Sequence, residues 1–355
     1  MVDKKTSRQE RTKQIREFIL SNAEFYPKNL ISITAQRFGI SRQAVNKHLA
    51  VLKNEGAISV EGRTKAASYK LLTSLRKEFN YEISKDTGED EVWRKDIRSL
   101  LEGIDKNVLD ICQYGFTEIF NNAIDHSEGT RVTVQVERRG KIIEIQIEDN
   151  GIGIFTKIQK EFNLSSTREA VLELVKGKLT TDPERHTGEG IFFTSRIFDA
   201  FSIMSADFSF HHLFSGDDWI LEGVAAIEGT IVMMQIRETA AQTTEEVFDQ
   251  FIAEGEKYSF SKTHIPVFLA QFGDEQLVSR SQARRVLARA EQFKEVWLDF
   301  DNVESIGQAF ADEIFRVFRN SHPDVIVIYS RANPKVLRTI QRVSTDSDQQ
   351  YRLDI

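Results

Sequence analysis

Apolar residues recur at helical spacing through the first part of the chain and then change rhythm. In 8–22, Ile15, Phe18 and Ile19 fall on one side of a helix. A short helix is predicted over 31–38. The run Phe38-Gly39-Ile40-Ser41 reads as a tight turn, with Ser41 placed to cap a helix that extends to about Asn54. Residues 58–72 fit two strands around the basic turn Glu61-Gly62-Arg63-Thr64-Lys65. The stretch 73–90 is polar and contains Lys85-Asp86-Thr87-Gly88-Glu89-Asp90, so it is expected to be a linker. A connecting helix is expected over roughly 91–106, then one α/β block over 107–238. A second short linker is expected over 239–246. Strands and helices alternate again beyond it.

Charge sharpens this picture at the N-terminal end. The 355 residues carry a net charge of -7, yet residues 1–72 hold 14 Lys and Arg against 6 Asp and Glu, a balance of +8, which leaves -15 for the rest. A basic end on an acidic chain points to a polyanionic partner. The helix 41–54 supports that by its two faces. Val45, Leu49 and Leu52 fall inward, whereas Arg42, Gln43, Asn46 and Lys47 fall outward. Arg suits guanine, Asn and Gln suit adenine, and Lys suits phosphate. The segment Ile33-Thr34-Ala35-Gln36-Arg37-Phe38-Gly39-Ile40-Ser41-Arg42-Gln43-Ala44-Val45 resembles a winged helix-turn-helix domain, over roughly 8–72. That resemblance implies a helix in the major groove of double-stranded DNA, with Ser41, Arg42, Gln43, Asn46 and Lys47 at the interface and Arg63 and Lys65 on the flanking backbone. The structural alternative is a winged helix used for protein contacts.

Three short motifs stand in the central block. In Phe116-Thr117-Glu118-Ile119-Phe120-Asn121-Asn122-Ala123-Ile124-Asp125-His126, the apolar positions keep helical spacing, and Glu118, Asn122 and Asp125 share one face. A carboxylate one turn from an amide oxygen suits a hard cation and a polarised water. The strand-like Lys141-Ile142-Ile143-Glu144-Ile145-Gln146-Ile147 leads into Glu148-Asp149-Asn150-Gly151-Ile152-Gly153-Ile154, where two glycines let backbone approach a ligand. His186-Thr187-Gly188-Glu189-Gly190 opens a helix whose free amides favour phosphate oxygens. Each motif alone has a bland reading: a solvated helix face, a tight turn, a helix cap.

Their order and spacing resemble the GHKL ATPase superfamily of gyrases, heat-shock chaperones, histidine kinases and anti-sigma kinases, over about 107–238. By that resemblance Asn122 is the magnesium ligand and Glu118 the general base, and Asp125 falls where gyrase-like members carry Asp. Asp149, with Gly151 and Gly153, would receive the adenine amino group. His186, Thr187, Gly188 and Gly190 would hold the phosphates of ATP, and Thr230 in Gly229-Thr230 would contact the adenine side. Residues 155–187 would form a mobile lid. The sensor-kinase pattern is incomplete, because no acidic-flanked histidine precedes Glu118: among His48, His126, His186, His211, His212, His264 and His322, only His48 lies upstream, inside the expected DNA-reading helix. His211 and His212 point to opposite faces of a strand and make a poor metal pair.

Toward the C-terminus, Val296-Trp297-Leu298-Asp299-Phe300 and Val325-Ile326-Val327-Ile328-Tyr329 read as buried strands around a helix over 307–320, a right-handed crossover. The run Leu298-Asp299-Phe300-Asp301-Asn302-Val303-Glu304-Ser305-Ile306 resembles STAS domains, over roughly 246–342, and most resembles a STAS-like family of unknown function. Gly307-Gln308 stand where phosphorylated relatives carry their serine, so Ser305 is a displaced candidate and an interaction module is the preferred reading.

The expected fold is therefore α/β (α+β) and multidomain: a winged helix over 1–75, a linker and connecting helix over 76–106, a GHKL sandwich with a mixed sheet over 107–238, and a STAS-like domain over 246–345. The expected function is an ATP- and magnesium-dependent transcriptional regulator, acting as a homodimer with a protein partner for the STAS-like part. The alternatives are a partner-switching serine kinase of the anti-sigma type and a gyrase-like clamp loaded on DNA. One cysteine, Cys112, excludes an intrachain disulfide framework. The polar start and the lack of a long apolar run lead to the expectation of a cytoplasmic protein without a membrane partner.

Overall fold

The protein, seen as a computed structural model, is described over residues 2–23, 26–62, 67–84, 87–180, 188–214, 216–253, 259–271, 275–343 and 352–353. Helices α1 (Val2–Asn22), α2 (Leu30–Phe38) and α3 (Arg42–Asn54) are followed by a hairpin of β1 (Ile58–Glu61) and β2 (Ser68–Leu71). Gly39 ends α2 in the left-handed region at φ 60, where a side chain would be strained. Ser41 then caps α3, its hydroxyl accepting from the Ala44 N–H at 3.2 Å. The inward stripe Val45, Leu49 and Leu52 meets Ile15, Ile19, Leu30 and Ile58 in a core of its own.

The expected linker over 73–90 is a correction. Its first part is the strand β3 (Thr73–Glu82), which pairs antiparallel along its length with β4 (Arg131–Arg139). Leu75, Phe79 and Tyr81 pack on the main core, but Lys77 on the same side is exposed and breaks the apolar alternation. An edge strand with one half-covered face looks polar in sequence. The connecting helix is also shorter than expected. It starts as α4 (Glu89–Val92), passes through a π turn (Trp93–Ile97) and a 3-10 turn (Arg98–Leu101), and stops before α5 (Lys106–His126).

The central sheet runs β3-β4-β5-β7-β6, with β5 Ile142–Asp149, β6 Ala200–Leu213 and β7 Asp218–Arg237. Every pairing in it is antiparallel. Helix α5 covers one face through Ile119, Phe116 and Phe120. Between β5 and β6 lie α6 (Ile154–Glu161), α7 (Thr167–Lys176) and α8 (Gly190–Ile197), so the stretch expected as a lid carries two helices; residues 181–187 lie outside the described part.

The expected linker 239–246 is anchored. The Asn107 amide donates to the Ala240 and Gln242 carbonyls at 2.8 and 2.9 Å, and Thr243 and Glu246 form a capping box for α9 (Thr244–Asp249). A parallel sheet β11-β10-β9-β8 follows, with β8 Lys262–Pro266, β9 Glu295–Asp299, β10 Ile326–Ser330 and β11 Arg352–Leu353. Its crossovers hold α10 (Arg280–Leu287), then α11 (Gln308–Asp312), continued by a π turn into α12 (Arg319–Ser321), then α13 (Pro334–Val343). One apolar cluster extends from Val92 to Ile340, so the central and C-terminal parts share a core. The mixed α/β class is thus the observed one, with antiparallel and parallel strands in separate sheets. No helix among the described residues is long and apolar enough to cross a membrane.

Candidate nucleotide site

Strand β5 buries alternate residues, Ile143, Ile145 and Ile147, and the same alternation turns Asp149 to the buried side at its end. There it meets α5. Glu118 and Asn122, one turn apart on α5, line the same cavity of about 290 Å³ as Asp149, Gly188, Gly190 and Thr230. That size is near the lower end of small-molecule sites, roughly 300–1,000 Å³. Six of the expected residues are therefore brought together from positions 118 to 230. His126 also lines the cavity.

The Asp149 carboxylate accepts from the Gly151 N–H at 2.9 Å and from Thr230, its partner in register on β7. Burial pushes the Asp149 carboxyl up, and the Gly151 and Thr230 donors pull it back. It is an acceptor held in an apolar wall and suited to an amino group in the cavity. The Thr230 hydroxyl in turn accepts from the Ile154 N–H at 3.0 Å, which fixes the start of α6. Gly151 and Gly153 do not line the cavity. A Cβ at Gly151 would lie 2.0 Å from the Ser127 carbonyl oxygen, so that glycine serves the close approach of two backbones. Gly153 holds φ 83 beside Ser205 and Gly229.

Glycine has a different part at the helix start. A Cβ on Gly190 would lie 1.8 Å from the Glu118 carboxylate, so Glu118 sits directly over the first residue of α8. Gly188, at φ 70, abuts the backbone of Leu179. Asp125 is exposed in the last turn of α5 and is not part of the wall. His186 and Thr187 lie outside the described residues.

Sequence reasoning missed part of the wall. Lys157 on α6 donates to the His126 carbonyl at 2.8 Å and lies 3.3 Å from Glu128. Its place four residues after Gly153 and four before Glu161 was the available signal. Leu174, Leu179 and Thr180, from α7 and the turn beyond it, close another side. Asn150 is a positioning residue: its side-chain oxygen accepts from the Thr130 and Arg131 N–H groups, both at 2.9 Å, and ties the loop after α5 to β5.

No group of three His, Cys, Asp or Glu suited to a metal occurs among the described residues. On α5 the cavity offers instead one amide oxygen, Asn122, and, one turn away, the Glu118 carboxylate. That sparse set fits magnesium, which binds through few protein oxygens together with waters and phosphates.

Comparison with known proteins agrees with this geometry. Residues 109–202 match the family model of histidine kinase-, DNA gyrase B- and HSP90-like ATPases, and residues 282–337 match that of a STAS-like domain of unknown function. The sensor protein VraS of Staphylococcus saprophyticus is 32% identical over 75 residues, covering 21% of this chain and 20% of that protein. The sensor protein VraS of Staphylococcus aureus strain COL shows the same identity over the same shares. The chain thus spans about a fifth of the length of these relatives. Its central part is a GHKL-type ATP-binding domain, and its C-terminal part is STAS-like.

The second group of expected residues lies elsewhere. Arg42, Gln43, Asn46 and Lys47 are exposed on the outer face of α3, and Ser41 caps that helix. Arg42 donates to the Ser32 hydroxyl at 3.2 Å. Arg63 and Lys65 lie outside the described residues.

Proposed function

We propose that the chain is an ATP-dependent regulator in which a central GHKL site, holding ATP with magnesium, governs a DNA-reading N-terminal part. The observation that carries it is the convergence of Glu118, Asn122, Asp149 and the Gly188–Gly190 turn on one cavity. Asp149 orients the adenine amino group, and Thr230 positions that acceptor. The amides at the start of α8 face the phosphates, where the helix dipole favours negative charge. Asn122 supplies the protein oxygen for magnesium, whose chemistry there is to neutralise phosphate charge. Glu118 takes the proton of an attacking water. Titration calorimetry tests the site: wild type binds ATP with magnesium, and Asp149→Ala loses most of that affinity. Equal binding by Asp149→Ala would remove the adenine assignment.

The N-terminal three helices and hairpin support a winged helix-turn-helix reading, with Arg42, Gln43, Asn46 and Lys47 toward the major groove of double-stranded DNA. Arg63 and Lys65 belong to this reading as contacts to the flanking backbone. Replacing Asn46 by Ala costs about 1–3 kcal/mol at one base position, whereas replacing Lys47 weakens all sequences alike and reduces the salt dependence. Failure of the full chain to shift any DNA at low salt would turn this face into a protein-contact surface. Homodimerisation would present two such faces to one operator.

A serine-kinase reading is favoured by one feature, the contact of the STAS-like part with the wall of the ATP cavity. Ser305 is half-buried and Gly307, not a serine, stands at the N-cap of α11. Phosphoserine formed on incubation with ATP would establish that reading, and its absence leaves the regulator.

A further inference from the structure

Helix α7 has two occupied faces. Toward the cavity it presents Leu174, and the turn after it adds Leu179 and Thr180. Its other face is bound to the STAS-like part by charges. Arg168 donates to the Leu269 and Phe268 carbonyls at 2.9 and 3.2 Å, and Glu169 pairs with Arg285 at 3.1 Å. Lys176, fully buried, reaches Glu173 at 2.6 Å and the Arg285 and Ala288 carbonyls at 2.9 and 3.0 Å. Arg289 binds the Glu173 carboxylate at 2.8 Å and the Lys178, Glu173 and Gly177 carbonyls at 2.9, 3.1 and 3.2 Å.

Apolar packing alone would tolerate sliding between the two parts. Buried ions do not, because each must keep its partners once it has left water. Arg289 is also fixed at its own backbone, in the left-handed region at φ 62. The cavity wall and the clamp are therefore one rigid piece: Gly177 and Lys178, whose carbonyls Arg289 holds, directly precede Leu179, against which Gly188 abuts.

We infer that the STAS-like part is an intramolecular clamp on α7 that keeps the cavity wall in place and thereby sets the rate of nucleotide release. This rests on the cavity being the nucleotide site. Release of the clamp frees the wall, and nucleotide leaves faster. A protein that competes for the charged face of α7 would accordingly act as an exchange factor for the ATP site.

The experiment uses the full chain with Arg289→Ala and, as a milder variant that removes the pair with Glu169, Arg285→Ala. Lys335→Ala, which breaks the exposed pair with Glu304 in the same part, is the control. Two quantities are read: amide exchange over 167–180 without nucleotide, and the dissociation rate of a fluorescent ATP analogue. The expected result is faster exchange and release quickened about tenfold or more, a barrier lowered by roughly 1.4 kcal/mol, in the clamp variants alone. Faster exchange with unchanged release would overturn the clamp's control of the site. Unchanged exchange in both variants would reduce the contacts to plain packing. A wild type that does not bind the analogue would overturn the nucleotide reading itself, and this proposal with it.

Discussion

Gly190 and Gly229 differ in what a methyl group would meet. At Gly190 it meets the carboxylate of Glu118, the movable end of a side chain, and the backbone is ordinary helix. At Gly229 it meets the Asp149 backbone oxygen at 1.9 Å, and φ is 73. Gly190→Ala should therefore melt like wild type but misplace Glu118. Any ATP hydrolysis should then fall about 100-fold or more, as for loss of a general base. Gly229→Ala should lose at least about 1–3 kcal/mol of stability from backbone strain alone. Thermal melts beside turnover measurements separate the two.

His212 carries a pH dependence of its own. Burial, then the Arg196 guanidinium, push its pKa down to about 4, against the pull of Asp218 at 2.5 Å. The unfolded chain protonates this ring near pH 6.5, the folded one only near 4. Stability from this group is thus complete above 6.5 and is lost as pH falls to about 4, up to roughly 3 kcal/mol. Urea titrations across that window should show the slope, and His212→Gln should flatten it. At this scale the sequence was legible where chemistry repeats in a motif. Glu118, Asn122 and Asp149 stood out by helical spacing, by a strand end and by the resemblance of their order to a known superfamily, whereas the burial of His212 between Arg196 and Asp218 depends on a hairpin that no local pattern announces.

Among the elements, β3 has the most direct consequence. It shields the edge of β4 from Arg131 to Arg139 and adds Phe79 and Tyr81 to the core. A fragment cut at residue 107 would expose that edge and the apolar side chains beneath it. Such a fragment should aggregate or melt without cooperativity, while a chain beginning at Thr73 should fold. Size-exclusion chromatography and calorimetry of the two shortened chains decide it. Helices α2 and α3 were legible in sequence because capping and the inward stripe agree. The strands β9 and β10 were legible because continuous apolar runs of that length suit a parallel sheet. β3 was not, since Lys77 interrupts its only covered face. The break between α4 and α5 was missed as well, because Trp93, Ile97 and Leu101 keep helical spacing through π and 3-10 turns.

Across the whole molecule, two cavities lie at opposite ends of one strand pair. Asp149 and Thr230 stand at the nucleotide end of β5 and β7; Ile142 and Arg237 stand at the other, paired in register. There Arg237 reaches Glu17 of α1 at 3.2 Å, and Lys141 reaches Glu55 beyond α3 at 3.2 Å. Under the proposed function, this charged junction would link the nucleotide site to the N-terminal part. Operator affinity should differ between nucleotide-free chain and chain with a non-hydrolysable ATP analogue by about 1–3 kcal/mol. Arg237→Ala should shrink that difference without abolishing either binding. Equal affinities in wild type would sink the coupling.

The separateness of the small N-terminal core has a thermodynamic consequence. Ile15, Val45, Leu49 and their neighbours form a cluster apart from the large core, joined to the remainder by the Glu17 and Glu55 ion pairs around a cavity of about 220 Å³ and by the approach of Leu71 to Gly140. Two unfolding units follow: a small one with little apolar surface to bury, and a large one in which the ATP and STAS-like parts melt together. A heating scan should resolve two endotherms, with added ATP raising only the larger. A head that unfolds by itself is also a head that can be exchanged: under the proposed function, one ATP-binding body would accept readers of different operators with only the residues around Glu17 and Glu55 kept in common.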